Sequence, residues 1–251
     1  MPAVSPDFNP MTSVVQFLRD VREMRALPEV RVNLMSAAAA GNDPFYQRLV
    51  QDFYRGTRRR HRKFPLVRQY EYGVALCPLP RDFESYFMLI EASARRNYKK
   101  SLRSGYVFRR IAYNDFLQDI TDIRRSTDVR QGTLPDEFLK KEVRPISDPP
   151  SRNRTHDYPY FGILKDGRLV AYAGCLVSGE ICIIEQIYGH AAHQADGIVP
   201  MLIIGMAEHI LANCPEVRYY AYGTFFGAGE TLRRFKKKFR FLPHRVRWVA
   251  G

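Results

Sequence analysis

Cysteine is scarce in this chain. Its 251 residues hold four, Cys77, Cys175, Cys182 and Cys214, and no two of them form a C-x-x-C pair. That spacing indicates neither a zinc cluster nor a disulfide framework, and the apolar runs around Cys175 and Cys182 read as strands with buried thiols. No uninterrupted apolar run approaches the length of a membrane span. The segment from Met1 to Met11 lacks the apolar core of a signal peptide, so a cytoplasmic location is the expectation. Also missing are H-x-x-x-H, G-x-S-x-G and G-x-x-x-x-G-K-[ST], which argues against a metal site, a serine nucleophile and nucleotide hydrolysis. Neither an internal repeat nor a low-complexity segment is evident.

Acidic residues are outnumbered: Asp+Glu 26 against Lys+Arg 39 leaves a formal net charge of +13. A field of that sign favours polyanions such as RNA, DNA, acidic lipid or phosphate-rich cofactors. The densest run holds Arg58, Arg59, Arg60, Arg62 and Lys63, a composition able to track a phosphate backbone or to stand solvated as a basic loop. A second group, Arg95, Arg96, Lys99, Lys100 and Arg103, falls in the last turns of a helical segment, where the dipole already favours cations. Lys237 and Lys238 form a third.

The hydrophobic fraction, 45 %, is enough for a sizeable core. Apolar spacing predicts helices over 12–27 and from Pro44 to about Tyr54, a strand over 66–77, and a long helix over 82–103. The inner stripe of that long helix reads Phe83, Phe87, Ile90, Ala94, Tyr98 and Leu102. A strand over 106–111 precedes a helix capped by Asn114 with Phe116, Leu117, Ile120 and Ile123 inward. From Ser126 to Tyr158 the pattern dissolves into proline-rich and polar loop chemistry, long enough to serve as a binding segment. Order returns with strands over 161–164 and 169–177 around the turn Lys165-Asp166-Gly167-Arg168, whose Asp-Gly suits a tight hairpin. A strand over 181–188, a loop over 190–197, a helix over 198–213, a strand over 217–222, a helix over 228–238 and a strand over 245–249 complete the chain. The expected class is α/β (α+β), a mixed sheet flanked by helices, with residues 1–75 as an N-terminal extension packing on a core of 76–251.

The order from Tyr160 onward resembles the second half of the GNAT acetyltransferase fold. In that fold the loop after the central strand receives the donor's pyrophosphate at a helix N-terminus, where unpaired N–H groups meet the positive end of the dipole. The family pattern Arg/Gln-x-x-Gly-x-Gly/Ala is matched in part by Gln194-Ala-Asp196-Gly197-Ile198-Val199, with Val199 in place of a small residue and a negative charge at Asp196. Over residues 85–243 the chain is also similar to the Fem-type aminoacyltransferases, a GNAT-fold branch that takes an amino acid from aminoacyl-tRNA. The stretches that carry this likeness are Ala94-Arg95-Arg96-Asn97-Tyr98-Lys99-Lys100, the hairpin at Lys165-Asp166-Gly167-Arg168, Tyr220-Ala221-Tyr222-Gly223, and Phe235-Lys236-Lys237-Lys238-Phe239. An acidic residue usual before Gly223 is replaced by Ala221.

The resemblance implies a role for Lys236 at the transferred carbonyl, with Phe235 and Phe239 beside it and Gln194, Gly197, Ile198 and Thr224 around the donor. A fixed ammonium at a developing oxyanion is a transition-state stabiliser. A base must then take the amine's proton. Strand alternation puts Glu185 on the face of Ile181, Ile183 and Ile187, where burial would raise its pKa; an ion pair with an arginine is the alternative. His190 and His193 are further candidates by their ordinary pKa, and Tyr222 is a hydrogen-bond donor at its strand's end.

The expected function is direct transfer of an aminoacyl group from aminoacyl-tRNA to a small-molecule or peptide amine, with no bound cofactor and tRNA as partner. Acyl-CoA or acyl-carrier protein is the alternative donor, and an inert RNA- or protein-binding module of the same fold is the alternative class.

Overall fold

The computed structural model describes residues 22–24, 26–40, 44–60, 68, 70–127, 142–147, 153–226 and 228–251. The helix expected over 12–27 falls mostly outside these residues, as do Arg62, Lys63 and most of the segment between Ser126 and Asn153.

Nine strands form one sheet among the described residues: β1 (Glu29–Asn33), β2 (Tyr72–Pro78), β3 (Val107–Ile111), β4 (His156–Asp157), β5 (Tyr160–Lys165), β6 (Arg168–Ser178), β7 (Ile181–Gly189), β8 (Tyr219–Thr224) and β9 (Leu242–Val249). Their order across the sheet is β1-β9-β2-β8-β7-β6-β5-β3, with β4 pairing to β6. The helices are α1 (Ser36–Ala40), α2 (Pro44–Thr57), α3 (Phe83–Leu89), α4 (Ala92–Arg103), α5 (Leu117–Arg125), α6 (Ile198–Asn213) and α7 (Glu230–Lys238).

Alternation along the strands divides the core into two faces. Ala75, Cys77, Cys182 and Ile184 point to the face covered by α3, α4, α6 and α7. Val74, Leu76, Ile181 and Ile183 point to the other, where Val50, Phe53 and Tyr54 of α2 pack. The second face continues under α5 through Ile120, Ile123 and Tyr172. Helix α6 is buried nearly all round, from Ile198 through Met201–Ala207 to Ile210, because it crosses from β7 to a parallel β8 against the sheet.

That parallel pairing is short. It joins Ile181 to Tyr219, Cys182 to Tyr220 and Ile183 to Ala221, and then β7 and β8 part. The cause lies partly in a bulge: Ile184 faces Cys175 and Gln186 faces Gly174 on β6, which leaves Glu185 as the extra residue. A bulge bends its strand and raises the local twist, and here it opens a cleft between the second half of β7 and the end of β8.

Several sequence expectations need correction. The long helix over 82–103 is two helices, broken at Ile90 and Glu91, whose ψ angles are 159° and 145°. The Glu91 N–H donates to the Lys238 carbonyl at 2.9 Å, so the end of α7 takes a bond that a continuous helix would have used. The break shifts the helical phase, and Ala94 and Ser101 are buried while Leu102 is 47 % exposed. Asn114 caps no helix. Its amide instead pairs with the backbone of Ile146, donating to the carbonyl and accepting from the N–H, both at 2.8 Å. His156, read as loop, is in strand β4 and fully buried, its Nε2 3.0 Å from the Leu34 carbonyl oxygen. The parallel edge strand β1 was not apparent in the sequence at all.

Candidate active site

Helix α7 carries five basic residues in nine, and one of them turns inward. Lys236 is 3 % exposed. Its Nζ donates to the Thr224 carbonyl at 2.8 Å and stands 4.7 Å from the centre of the Tyr222 ring. No carboxylate lies within ion-pair distance of it among the described residues. Burial alone lowers its pKa to about 8. The ammonium therefore sits at the end of β8, where the strand has already left β7, and a Cβ added at Gly223 would lie 3.8 Å from it. Phe235 and Phe239, 5.1 Å apart, anchor the helix in the core beneath. Tyr222 packs edge-on against Phe241 and supplies the ring on which the ammonium rests.

Across the cleft, Glu185 departs from the alternation argument. The bulge leaves it with no partner on β6, and its side chain is exposed instead of buried. It is not bare, because the Tyr158 hydroxyl donates to its Oε2 at 2.6 Å. Burial and the Glu185 charge both push the Tyr158 phenol upward, so the tyrosine holds its proton and serves as donor. Tyr158 lies in the stretch that reads as irregular in the sequence, where no pattern distinguishes it from its neighbours.

His190 and His193 hold the loop after β7. The Ala192 N–H donates to Nδ1 of His190 at 3.3 Å, and Nδ1 of His193 lies 2.7 Å from the Tyr106 hydroxyl. His190 precedes, and His193 lies within, the 3-10 segment 191–196 that leads into α6.

The start of α6 is built differently from a diphosphate cradle. Gly197 has φ 81°, and a Cβ there would come within 2.8 Å of the Asn97 carbonyl oxygen, so glycine alone fits. Asp196 receives the Tyr106 hydroxyl at 2.8 Å and pairs with Lys100 at 3.1 Å; these two partners, Tyr106 foremost, hold its carboxyl below the usual range. Lys100 also donates to the Ala195 carbonyl, and Ser101 to the Asp196 carbonyl. Val199 fills the space over Gly189, where a Cβ would meet its Cγ2 at 2.9 Å. Pro200, the third helical residue, has no N–H to offer. Ile198 is fully buried, and Gln194 is exposed with its carbonyl engaged by the Gly197 N–H. A carboxylate and a missing donor thus stand where anion recognition requires N–H groups and positive charge.

The basic residues do not come together as one surface. Arg58, Arg59 and Arg60 lie at the end of α2, on the face opposite α4 and α7. On α4, Arg95 is turned toward the end of α3, donating to the Met88 carbonyl at 3.1 Å, and Lys100 is taken by Asp196. Arg96, Lys99 and Arg103 remain outward. The Glu91–Lys238 bond joins the start of α4 to the end of α7, and both helices pack on one face of the sheet, so these three and Lys237 and Lys238 belong to the same side of the molecule.

No family model and no characterised protein matches the sequence. Solved structures do. FemX superposes with a TM-score of 0.55 at 10 % identity, over 70 % of this chain and 60 % of that one. The C-terminal domain of a putative lysylphosphatidylglycerol synthetase from Agrobacterium fabrum gives 0.46 at 16 % identity, over 69 % and 58 %. The chain thus spans about three fifths of the length of these two structures. Three antiparallel strands, a crossover helix, a parallel strand that parts from its neighbour and the likeness to FemX together establish a GNAT-like fold.

Proposed function

We propose that this chain is an acyltransferase that moves an aminoacyl group from aminoacyl-tRNA to an amine by direct transfer. The observation that carries this reading is the Lys236 ammonium, buried without a counter-charge at the mouth of the cleft between β7 and β8. In the proposed reaction the amine attacks the ester carbonyl, whose oxygen gains negative charge beside Lys236; as the tetrahedral species collapses, the bond to the ribose oxygen breaks and that oxygen leaves as a hydroxyl, taking up a proton in place of the one the amine gives up. A cation fixed in a site of low dielectric stabilises such an oxyanion without reorganising. Glu185, on the far wall and oriented by Tyr158, accepts the proton that the amine loses.

The preference for an RNA-borne donor over acyl-CoA rests on the start of α6. Asp196, Val199 and Pro200 leave no cradle for a diphosphate, and Arg96, Lys99, Arg103, Lys237 and Lys238 offer cations to a phosphate backbone. Thermal unfolding with deacylated tRNA and with acetyl-CoA tests the choice. Stabilisation by tRNA that salt abolishes, with no shift from acetyl-CoA, is the expected result. A shift from acetyl-CoA alone would transfer the donor role to the thioester.

A further inference from the structure

On the sheet face opposite α7, a concavity of about 490 Å³ lies between the end of α2, the approach to β2, the start of β1 and the second half of β9. Arg58, Arg68, Arg245 and Arg247 converge on it, against only Glu29 and Glu71. Both carboxylates are committed to one cation: Arg245 reaches Glu29 at 3.0 Å and Glu71 at 3.5 Å, and lies 5.1 Å over the Tyr72 ring. Arg58, Arg68 and Arg247 pair with no carboxylate among the described residues. Three guanidinium groups gathered in a concave wall without counter-charge favour an anion between them, and their planar donor forks match a phosphoryl group better than a point charge does.

The position of this concavity bears on the reaction. Thr224, whose carbonyl holds Lys236, pairs with Val74, and Val74 pairs with His244 beside Arg245. Two strand spacings, about 10 Å, therefore separate the end of β8 from the arginine-bearing strand. Tyr70 links the concavity to the other wall of the cleft: its carbonyl accepts the Trp248 indole N–H at 2.6 Å, while burial and then the charge of Glu185 keep its phenol protonated. Lys236 enters from the face of α7, whereas Tyr70, which feels the charge of Glu185, and Arg58 at the end of α2 lie on the other.

We propose that the concavity holds a phosphoryl group of the acceptor, so that the amine substrate is a phosphate ester bound by Arg58, Arg68 and Arg247 with its amine directed to Glu185. This deepens the transfer reading and rests on it for the identity of the acceptor; the anion site itself does not.

Calorimetric titration of the full chain with inorganic pyrophosphate, and with O-phosphoethanolamine against ethanolamine, tests the site without any turnover. Both phosphates are expected to bind and ethanolamine is not. In Arg68→Ala/Arg247→Ala the two affinities fall about tenfold or more. Arg247→Lys keeps part of the affinity, and Arg168→Ala, whose cation is tied to Asp119 and Asp122, keeps all of it. Unchanged pyrophosphate affinity in the double variant overturns the proposal. Displacement of pyrophosphate by a short single-stranded RNA but not by phosphoethanolamine overturns the acceptor assignment in favour of nucleic acid. Phosphate binding as expected, with no transfer from any donor, upholds the anion site and defeats the transfer reading instead.

Discussion

Lys236 has opposite effects on stability and on the proposed chemistry, and pH separates them. Its folded pKa of about 8 lies below its ordinary 10.5, so between those values the unfolded chain binds more protons than the folded one. Stability therefore rises with pH across that window. The oxyanion contact needs the ammonium, so transfer falls as pH climbs through about 8. A pH–rate profile of aminoacyl transfer should show that descending limb, and Lys236→Met should lose it together with about 10²-fold or more of the rate, while thermal unfolding shows the variant folded. At Glu185, exposed and held by Tyr158 in the cleft, Glu185→Gln keeps the acceptor for the tyrosine but not the basicity. Its expected signature is a rate loss of about 10²- to 10⁴-fold with an unchanged melting temperature; an unaltered rate would assign proton removal elsewhere. The two residues differed in how far the sequence exposed them. Lys236 was singled out by the likeness of its Phe-Lys-x-x-Phe segment to the Fem-type transferases, and its burial came only with the fold. The environment of Glu185 depends on one extra residue in a strand, which only the hydrogen-bond register with β6 reveals.

At the level of elements, the α6 entry and the β5–β6 hairpin offer a matched pair of glycines. Gly167 and Gly197 both have φ 81°, but a Cβ at Gly167 meets nothing within 4 Å, whereas one at Gly197 strikes the Asn97 backbone. Gly167→Ala should cost only the left-handed conformation, about 1–2 kcal/mol. Gly197→Ala should cost distinctly more, because α4 must also move away; urea unfolding of the two variants compares them directly. The hairpin turn was legible because Asp-Gly is a local signal. The break between α3 and α4 was not, since nothing between Phe83 and Arg103 interrupts the apolar spacing. The Lys238 carbonyl, distant in sequence, supplies the partner that makes the break favourable.

At the scale of the whole molecule, the described residues include two groups of cations, one on α4 and α7 and one around the concavity beside β9. The group on α4 and α7 is open to a long phosphate backbone, while the arginines near β9 sit in a walled concavity. RNA binding should therefore weaken steeply with salt, and Arg96→Glu/Lys99→Glu should flatten the slope of log K against log salt by about 0.7 for each phosphate no longer neutralised. Filter binding across a salt series measures this, and a slope identical to that of the unaltered protein would remove these cations from the interface.

The succession of three strands, helix, strand, helix and strand after Tyr160 was set by local patterning: period-two runs, the Asp-Gly turn and a helix apolar on every side need no distant partner to be recognised. The lysine between two phenylalanines was singled out by the likeness of its segment to the Fem-type enzymes, and the fold decided that it is buried. Tertiary structure alone decided where β7 leaves β8, which carboxylate faces solvent, how Asp196 is bound at the start of α6, and which arginines share a wall. Each of these depends on groups far apart in the chain competing for the same hydrogen bond, charge or space, and that competition has no signature in any short window of residues.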